Sequence, residues 1–166
     1  NSDWGLGLPF PALLANLVIL VEFFGGWLLL FGALTRLISI PLMFTMIVAA
    51  TSVHADNGWF AITPTNSDIS PAKVAVWLGV DSAQASLDNS EQTATRLEKM
   101  RELIEENGNT DWLYEKGNIV VLNNGIEFST TYFIMLLSLF FIGAGRFTSV
   151  DHFVAKRFLI EEKRFS

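Results

Sequence analysis

The chain has 166 residues, of which 51% are hydrophobic and only 17% are charged. A soluble domain usually has about 25% charged residues, and here long stretches of sequence carry almost no charge. The formal net charge of −6 argues against a nucleic-acid partner, which would require a basic face. Because the sequence contains no cysteine, it excludes a disulfide framework, an iron–sulfur cluster and a thiol relay formed by this chain alone.

The first apolar segment covers residues 11–34 and contains only two strongly polar positions before its end, Asn16 and Glu22. About 20 apolar residues span the hydrocarbon core of a bilayer, so this segment predicts a transmembrane helix. The preceding residues 1–8 form an entry segment in which Trp4 suits the membrane interface.

Two further apolar segments predict transmembrane helices at residues 37–53 and 128–145. The connection at Arg36 is very short, so the first two helices are expected to form an antiparallel hairpin. We therefore predict an all-α integral membrane protein with a single membrane domain covering residues 1–166.

The loop between the second and third helices, residues 54–127, differs from the rest of the chain. Eleven acidic and five basic residues lie between positions 54 and 125. Apolar spacing predicts a soluble amphipathic helix over about residues 90–106. Residues 112–114 and 119–122 flank a Lys-Gly-Asn sequence and predict a small β-hairpin.

Charge bias predicts the orientation of these segments. Lys and Arg collect in short cytoplasmic segments, so Arg36 and the tail at residues 146–166 are expected in the cytoplasm. The acidic loop would then be periplasmic and Asn1 would lie on the same outer side. This topology predicts a fourth, upstream transmembrane helix, and a cleaved signal peptide is the competing explanation.

Glu22 is the residue that most needs an explanation, because an unpaired carboxylate near the middle of a membrane helix is energetically costly. Glu22, Gly25, Leu29, Gly32 and Arg36 share a heptad-like stripe, and small residues on such a stripe allow close helix packing. We therefore expect Glu22 to face the bundle. It is either a protonated or hydrogen-bonded carboxyl that fixes packing, or a group for proton transfer, ligand contact or metal contact.

His54, Asp56 and Glu127 lie at the predicted outer ends of two helices, where they could surround a shared pocket. Histidine and carboxylates are suitable metal ligands, so these three residues are the candidate metal site. The alternative is that they contact only water and backbone ends. His152 is predicted on the opposite side of the membrane from His54, which argues against a haem held by two histidines.

Several short motifs resemble the DoxX family of membrane proteins, and most closely its HvfX-like branch. They are DWGLGLPFP at residues 3–11, EFFGG at 22–26, LLLFGALTR at 28–36, ISIPLM at 38–43, HADNGW at 54–59, NNGIEF at 123–128 and GAGRFTSVD at 143–151. The resemblance implies a DoxX-like bundle of four transmembrane helices in the bacterial inner membrane, three of them in this chain. It also implies an association with redox or thiol-stress complexes and, for HvfX-like members, with copper-handling peptides. Glu22, Arg36, His54 and Glu127 occupy the polar positions of these motifs and are the candidate functional residues.

Three functions remain open from the sequence. The first is a subunit or accessory protein of a redox or metal-stress assembly, without catalysis of its own and with a membrane or periplasmic protein partner. The second is a quinone-interacting component of a membrane oxidoreductase, and the third is a small transporter, which would require oligomerisation. No catalytic residues or cofactor motifs are evident, and a quinone or a metal ion are the ligands left open. We favour the first function.

Overall fold

The computed structural model describes residues 9–165, with side chains for all of these except Ser82 and residues 159–165. The entry segment at residues 1–8, including Trp4, lies outside the described residues. The α-helices in the described range are α1 Pro11–Phe31, α2 Thr35–Val48, α3 Ala72–Trp77, α4 Ser82–Asn107, α5 Thr110–Tyr114, α6 Glu127–Ile142 and α7 Val150–Phe165. No strand forms between residues 9 and 165, where Ile62 and Leu122 make an isolated antiparallel bridge. The predicted helical class is therefore confirmed for this part of the chain.

The chain divides into two compact units. The apolar unit consists of the residues up to Val53 together with those from Ser129 onward, and the polar unit is His54–Phe128. The polar unit covers nearly the same residues as the predicted loop 54–127. The two units are described separately below.

Helix α1 ends three residues earlier than predicted because Gly32 adopts a left-handed conformation (φ 61°). The amide of Gly32 donates to the carbonyl of Leu29 (3.0 Å), and the amide of Ala33 donates to the carbonyl of Leu28 (2.8 Å). This is the Schellman arrangement, which satisfies the last carbonyls of a helix and favours glycine at the left-handed position.

Helix α2 begins two residues earlier than predicted, at Thr35, and Pro41 lies inside it. A π-helical turn, Ala49–His54, and a 3-10 turn, Ala55–Asn57, continue the helical path. The second apolar helical stretch is consequently Thr35–Asn57, which has 23 residues.

The apolar helices leave most of their side chains uncovered. Only Gly25 is buried among the 21 residues of α1. Two helical stretches, Pro11–Phe31 and Thr35–Asn57, are long and apolar enough to cross a membrane, whereas α6 has 16 residues. Such exposure of apolar surface is typical of helices that contact lipid and would be unusual in a soluble core.

The polar unit has a small core of the kind found in soluble proteins. Phe60, Ala72, Ala83 and Leu87 are buried together where α3 packs against α4. Helix α4 starts eight residues before the predicted position, at Ser82, and accommodates polar residues in its first turns. The hydroxyl of Ser90, for example, donates to the carbonyl of Ser86 (2.9 Å) one turn earlier.

The predicted β-hairpin at residues 112–114 and 119–122 is wrong. The first arm is helix α5, because the side chain of Asn109 caps it by accepting a hydrogen bond from the amide of Trp112 (3.1 Å). The second arm instead lies beside residues 62–63, where the amide of Thr63 donates to the carbonyl of Val121 (3.1 Å). A capping signal and a partner distant in sequence therefore outweighed local β-propensity.

Candidate functional sites

Glu22 lies near the middle of α1 and is exposed. It makes no hydrogen bond or ion pair with the side chains and backbone groups that the structure describes. The expectation that Glu22 packs against a neighbouring helix is therefore not met by any described helix of this chain.

Gly25, and not Glu22, faces the neighbouring helix α2. A Cβ atom placed on Gly25 would lie 3.0 Å from a methyl carbon of Leu42 and 3.3 Å from Cγ1 of Ile38. Three residues turn an α-helix by about 300°, so Glu22 and Gly25 point about 60° apart. The predicted stripe is correct in placing a small residue, Gly25, at a close helix contact. It wrongly placed Glu22 on the same face, although Glu22 lies on the adjacent face that is open.

The face of α1 around Glu22 is open for at least one further turn. Gly26 lies four residues after Glu22, and a Cβ atom placed on it would meet no atom within 4 Å. Val18, four residues before Glu22, is also exposed. We call these three residues the Glu22 face.

Arg36 lies against the end of helix α6 within the apolar unit. Its Nη2 donates to the carbonyl of Phe141 (3.2 Å), which is one of the last carbonyls of α6 and has no partner further along the helix. Gly143 has φ 77°, and a Cβ atom there would lie 3.3 Å from Nε of Arg36. This arrangement gives Arg36 a structural role in closing a helix end.

Asp151, which the sequence patterns did not single out, is a carboxylate of the apolar unit that two backbone amides hold in place. Its two oxygens accept hydrogen bonds from the amides of Leu34 (2.7 Å) and Thr35 (2.9 Å) at the start of α2. The amide of Asp151 in turn donates to the carbonyl of Gly32 (2.9 Å). Because Leu34 has no side chain that can cap α2, Asp151 supplies the cap from α7.

The pKa of Asp151 lies below its ordinary value of 3.8. Burial acts to raise the pKa, but hydrogen bonds from the amides of Thr35 and Leu34 outweigh it and stabilise the charged form. The Thr35 hydroxyl also lowers this pKa, although it makes no hydrogen bond of ordinary geometry within the described residues. A negative charge at a helix N-terminus is further favoured by the helix dipole.

Close packing reinforces this junction. A Cβ atom placed on Gly32 would lie 2.6 Å from Cβ of Ser149 and 2.9 Å from Cβ of Ala144. Only glycine therefore fits at the end of α1 against the residues that lead into α7.

In the polar unit, His54 belongs to a network of asparagine side chains and backbone carbonyls. Nδ1 of His54 lies 2.8 Å from the carbonyl oxygen of Asn124, and Nδ2 of Asn57 donates to the same oxygen (3.2 Å). Nδ2 of Asn123 donates to the carbonyls of Phe60 (3.1 Å) and Asn57. Since a carbonyl can only accept, Nδ1 of His54 carries the proton, and in the neutral ring the lone pair is on Nε2.

Glu127 joins the same network from the start of α6. Its Oε2 accepts a hydrogen bond from the amide of Ala61 (2.9 Å), and its own amide donates to the carbonyl of Trp59 (2.9 Å). Gly125 is enclosed at this point, because a Cβ atom there would lie 2.5 to 2.7 Å from the carbonyl oxygens of Gly58, Phe60 and Trp59.

The structure thus brings together two sequence motifs that are about 65 residues apart, residues 54–61 and 123–127. We call this hydrogen-bonded region the interlock. His54 and Glu127 both belong to it, whereas Asp56 is exposed and forms no hydrogen bond with the described residues. No group of three or more His, Asp or Glu side chains suited to a metal ion occurs among the side chains that the structure describes. The metal site at His54, Asp56 and Glu127 stays a prediction.

Comparison with known proteins supports the resemblance over the first part of the chain. The model of the DoxX family, a family of membrane proteins, matches residues 4–55, which is less than a third of the chain. No curated protein and no solved structure matches the chain. The matched segment includes Glu22, Arg36 and His54, and together with the uncovered apolar helices it identifies a membrane protein similar to the DoxX family.

Proposed function

We propose that this membrane protein is a non-catalytic subunit or accessory protein of a larger membrane assembly, and that the Glu22 face is where a partner helix docks. One observation carries the proposal. A carboxyl group lies near the middle of a membrane-length helix, on a face that no described part of the chain covers.

The free-energy cost of a charged side chain within the membrane explains why a partner would bind at that face. Placing a charged side chain such as Asp at the centre of a membrane helix costs about 2.5 to 3.5 kcal/mol. A hydrogen-bond donor or a cation on an adjacent helix would offset this cost. The open surface at Gly26 would let such a helix approach closely, as small residues do in other membrane helix pairs.

The similarity to the DoxX family suggests a redox-linked assembly. The finer proposal is an assembly for redox or metal stress, including copper handling, in the bacterial inner membrane. It rests on the motif resemblance to the HvfX-like branch. In this proposal the polar unit is periplasmic, the C-terminus is cytoplasmic, and a fourth transmembrane helix completes the bundle on a side other than the Glu22 face.

The test is the substitution Glu22→Gln in the full chain, expressed in its native membranes. The expected result is loss of the co-purified membrane partner and reduced metal tolerance, while the isolated chain keeps its unfolding temperature. Glu98→Gln is a matched control, because Glu98 is an exposed residue of α4. If Glu22→Gln changes neither partner recovery nor metal tolerance, the proposed function is wrong.

A quinone-interacting role is the second candidate, and the exposure of Glu22 favours it. A quinone diffuses within the lipid phase, so a carboxyl on an uncovered membrane face is accessible to its headgroup. In this case Glu22→Gln would lower quinol turnover by the membranes without reducing the recovery of a protein partner. The same substitution therefore separates the two functions.

A further inference from the structure

Helix α3 of the polar unit has one apolar face buried and another apolar face exposed. Ala72 is buried, and Ala75 and Val76 pack against the small core. Val74, Trp77 and Leu78 follow the i, i+3, i+4 spacing of a single opposite face, and all three are exposed, with Trp77 at 83%.

Neighbouring residues enlarge this exposed face. Ile69, in the 3-10 turn before α3, is 80% exposed, and Val80, just after α3, is also exposed. We call Ile69, Val74, Trp77, Leu78 and Val80 the α3 tip. Large apolar side chains concentrated in twelve residues usually mark an interaction site rather than ordinary surface.

The α3 tip is held in a defined conformation. Gly79 has φ 84°, its amide donates to the carbonyl of Val76 (2.9 Å), and the amide of Val80 donates to the carbonyl of Ala75 (3.0 Å). This Schellman arrangement fixes the chain reversal between α3 and α4. The apolar side chains are consequently displayed by a capped helix end.

Charge distinguishes the α3 tip from the rest of the polar unit. Residues 54–125 contain eleven acidic and five basic side chains, but between Ile69 and Val80 the sequence has a single charged residue, Lys73. Lys73 is paired with Asp68 at the protein surface, where such a pair contributes little stability. Its ammonium group can therefore leave Asp68 and pair with a lipid phosphate. The acidic helix α4, in contrast, would be repelled by an anionic membrane surface.

The connecting chain limits how far the α3 tip can lie from the end of the apolar helical stretch. Ile69 is twelve positions after Asn57, where the apolar helical stretch ends. An extended chain of that length reaches about 40 Å. The tip therefore stays within reach of the surface that this helix enters.

We propose that the α3 tip inserts into the headgroup region of the lipid bilayer, with Trp77 at the boundary between headgroups and acyl chains and Lys73 at the phosphates. Tryptophan is enriched at this depth because its ring is apolar and its N–H is polar. The tip would anchor the polar unit to the membrane surface independently of any partner at the Glu22 face.

The test uses single cysteines, because the chain has none of its own. Leu78→Cys and the matched control Thr95→Cys, an exposed position on α4, are spin-labelled. The full chain is then reconstituted in vesicles of phosphatidylethanolamine and phosphatidylglycerol. The ratio of relaxation by oxygen, which collects in lipid, to relaxation by a water-soluble nickel chelate is expected to be several-fold higher at Leu78. An equal ratio at the two positions overturns the proposal, as does a label at Leu78 that neither reagent reaches, since that outcome indicates a protein contact.

A second measurement keeps Leu78 intact. Trp77 is retained while the four other tryptophans are replaced by phenylalanine, and its emission is measured with lipids brominated near the headgroup. We expect these lipids to quench Trp77 strongly and aqueous iodide to quench it weakly. A matched protein that retains only Trp112, an exposed residue of α5, should show the reverse. Equal quenching of the two residues by lipid would contradict specific insertion of the α3 tip.

Discussion

The apolar and polar units are stabilised in different ways. In the apolar unit, the buried part of α1 is a single glycine at a helix contact, and large apolar side chains point outward. In the polar unit, a small apolar core lies beside an interlock of asparagine side chains and carbonyls. The apolar unit therefore depends on the solvent around it being lipid, whereas the polar unit is stabilised by burial and hydrogen bonding as a soluble domain is.

The hydrogen bonds of the polar side chains distinguish residues with a structural role from candidates for a functional role. Four of the polar side chains form hydrogen bonds with backbone groups of the chain: Arg36, Asp151, His54 and Glu127. Glu22 satisfies none among residues 9–165 and remains exposed. A polar residue that satisfies no backbone group in its own unit is a better candidate for contact with another molecule than one that does.

The largest effect is expected from Gly125→Ala in the interlock. The new methyl group would lie within 2.5 to 2.7 Å of three backbone carbonyl oxygens, and none of these can rotate away as a side chain would. Overpacking of this kind should lower the free energy of unfolding of the polar unit by about 3 kcal/mol. Hydrogen exchange of the amides at residues 58–63 measures it.

Gly145→Ala is the control for this change, because a Cβ atom there meets nothing within 4 Å. If Gly125→Ala and Gly145→Ala leave amide exchange in the polar unit equally unchanged, the interlock does not hold the two motifs together.

The next effect is expected at the contact between α1 and α2. Gly25→Leu would force side-chain atoms against Leu42 and Ile38 and should lower the free energy of unfolding by about 2 kcal/mol. Gly26→Leu is the adjacent control and should leave the stability of the isolated chain unchanged. Thermal unfolding in detergent distinguishes the two, and equal losses would show that the two faces of α1 are not distinct.

A smaller effect is expected from Asp151→Asn at the start of α2. Loss of the charge and of one accepting oxygen should lower the free energy of unfolding by about 1 kcal/mol. Because the pKa of Asp151 is lowered by folding, its stabilisation is present above its ordinary pKa of 3.8 and is lost as the pH falls through the folded pKa. The stabilities of the native chain and the variant should therefore converge only below about pH 3.8. Unfolding measured over a pH series would contradict this if the difference were constant down to the lowest pH.

The smallest effect is expected from Lys99→Ala on the exposed surface of α4. Glu102 raises the pKa of Lys99 through a hydrogen bond and charge attraction, but both groups face water. Exposed pairs of this kind contribute little to stability. The unfolding temperature should be unchanged, and a clear decrease would show that α4 depends on surface charge rather than on its packing with α3.

Sequence patterns predicted two membrane-length helices correctly, because an apolar run of about 20 residues has few other interpretations. The third predicted transmembrane segment, at residues 128–145, contains the 16-residue helix α6 and stays a prediction. Sequence patterns failed where a capping group or a distant partner determines local structure. Asn109 converts an expected strand into α5, and Asp151 caps a helix 116 residues away. Periodicity also placed Glu22 and Gly25 on one stripe, although helical geometry separates their directions enough for one to face α2 and the other to remain open.

The central claim is that the Glu22 face binds a partner helix. A photo-reactive amino acid at Gly26, one turn from Glu22, tests it directly in native membranes, with the same group at Leu20, an exposed residue on the opposite side of α1, as the control. We predict one discrete protein adduct at Gly26 that is lost in the Glu22→Gln background, and lipid adducts alone at Leu20. Identical adducts at both positions, or an adduct at Gly26 that does not depend on Glu22, would contradict the claim.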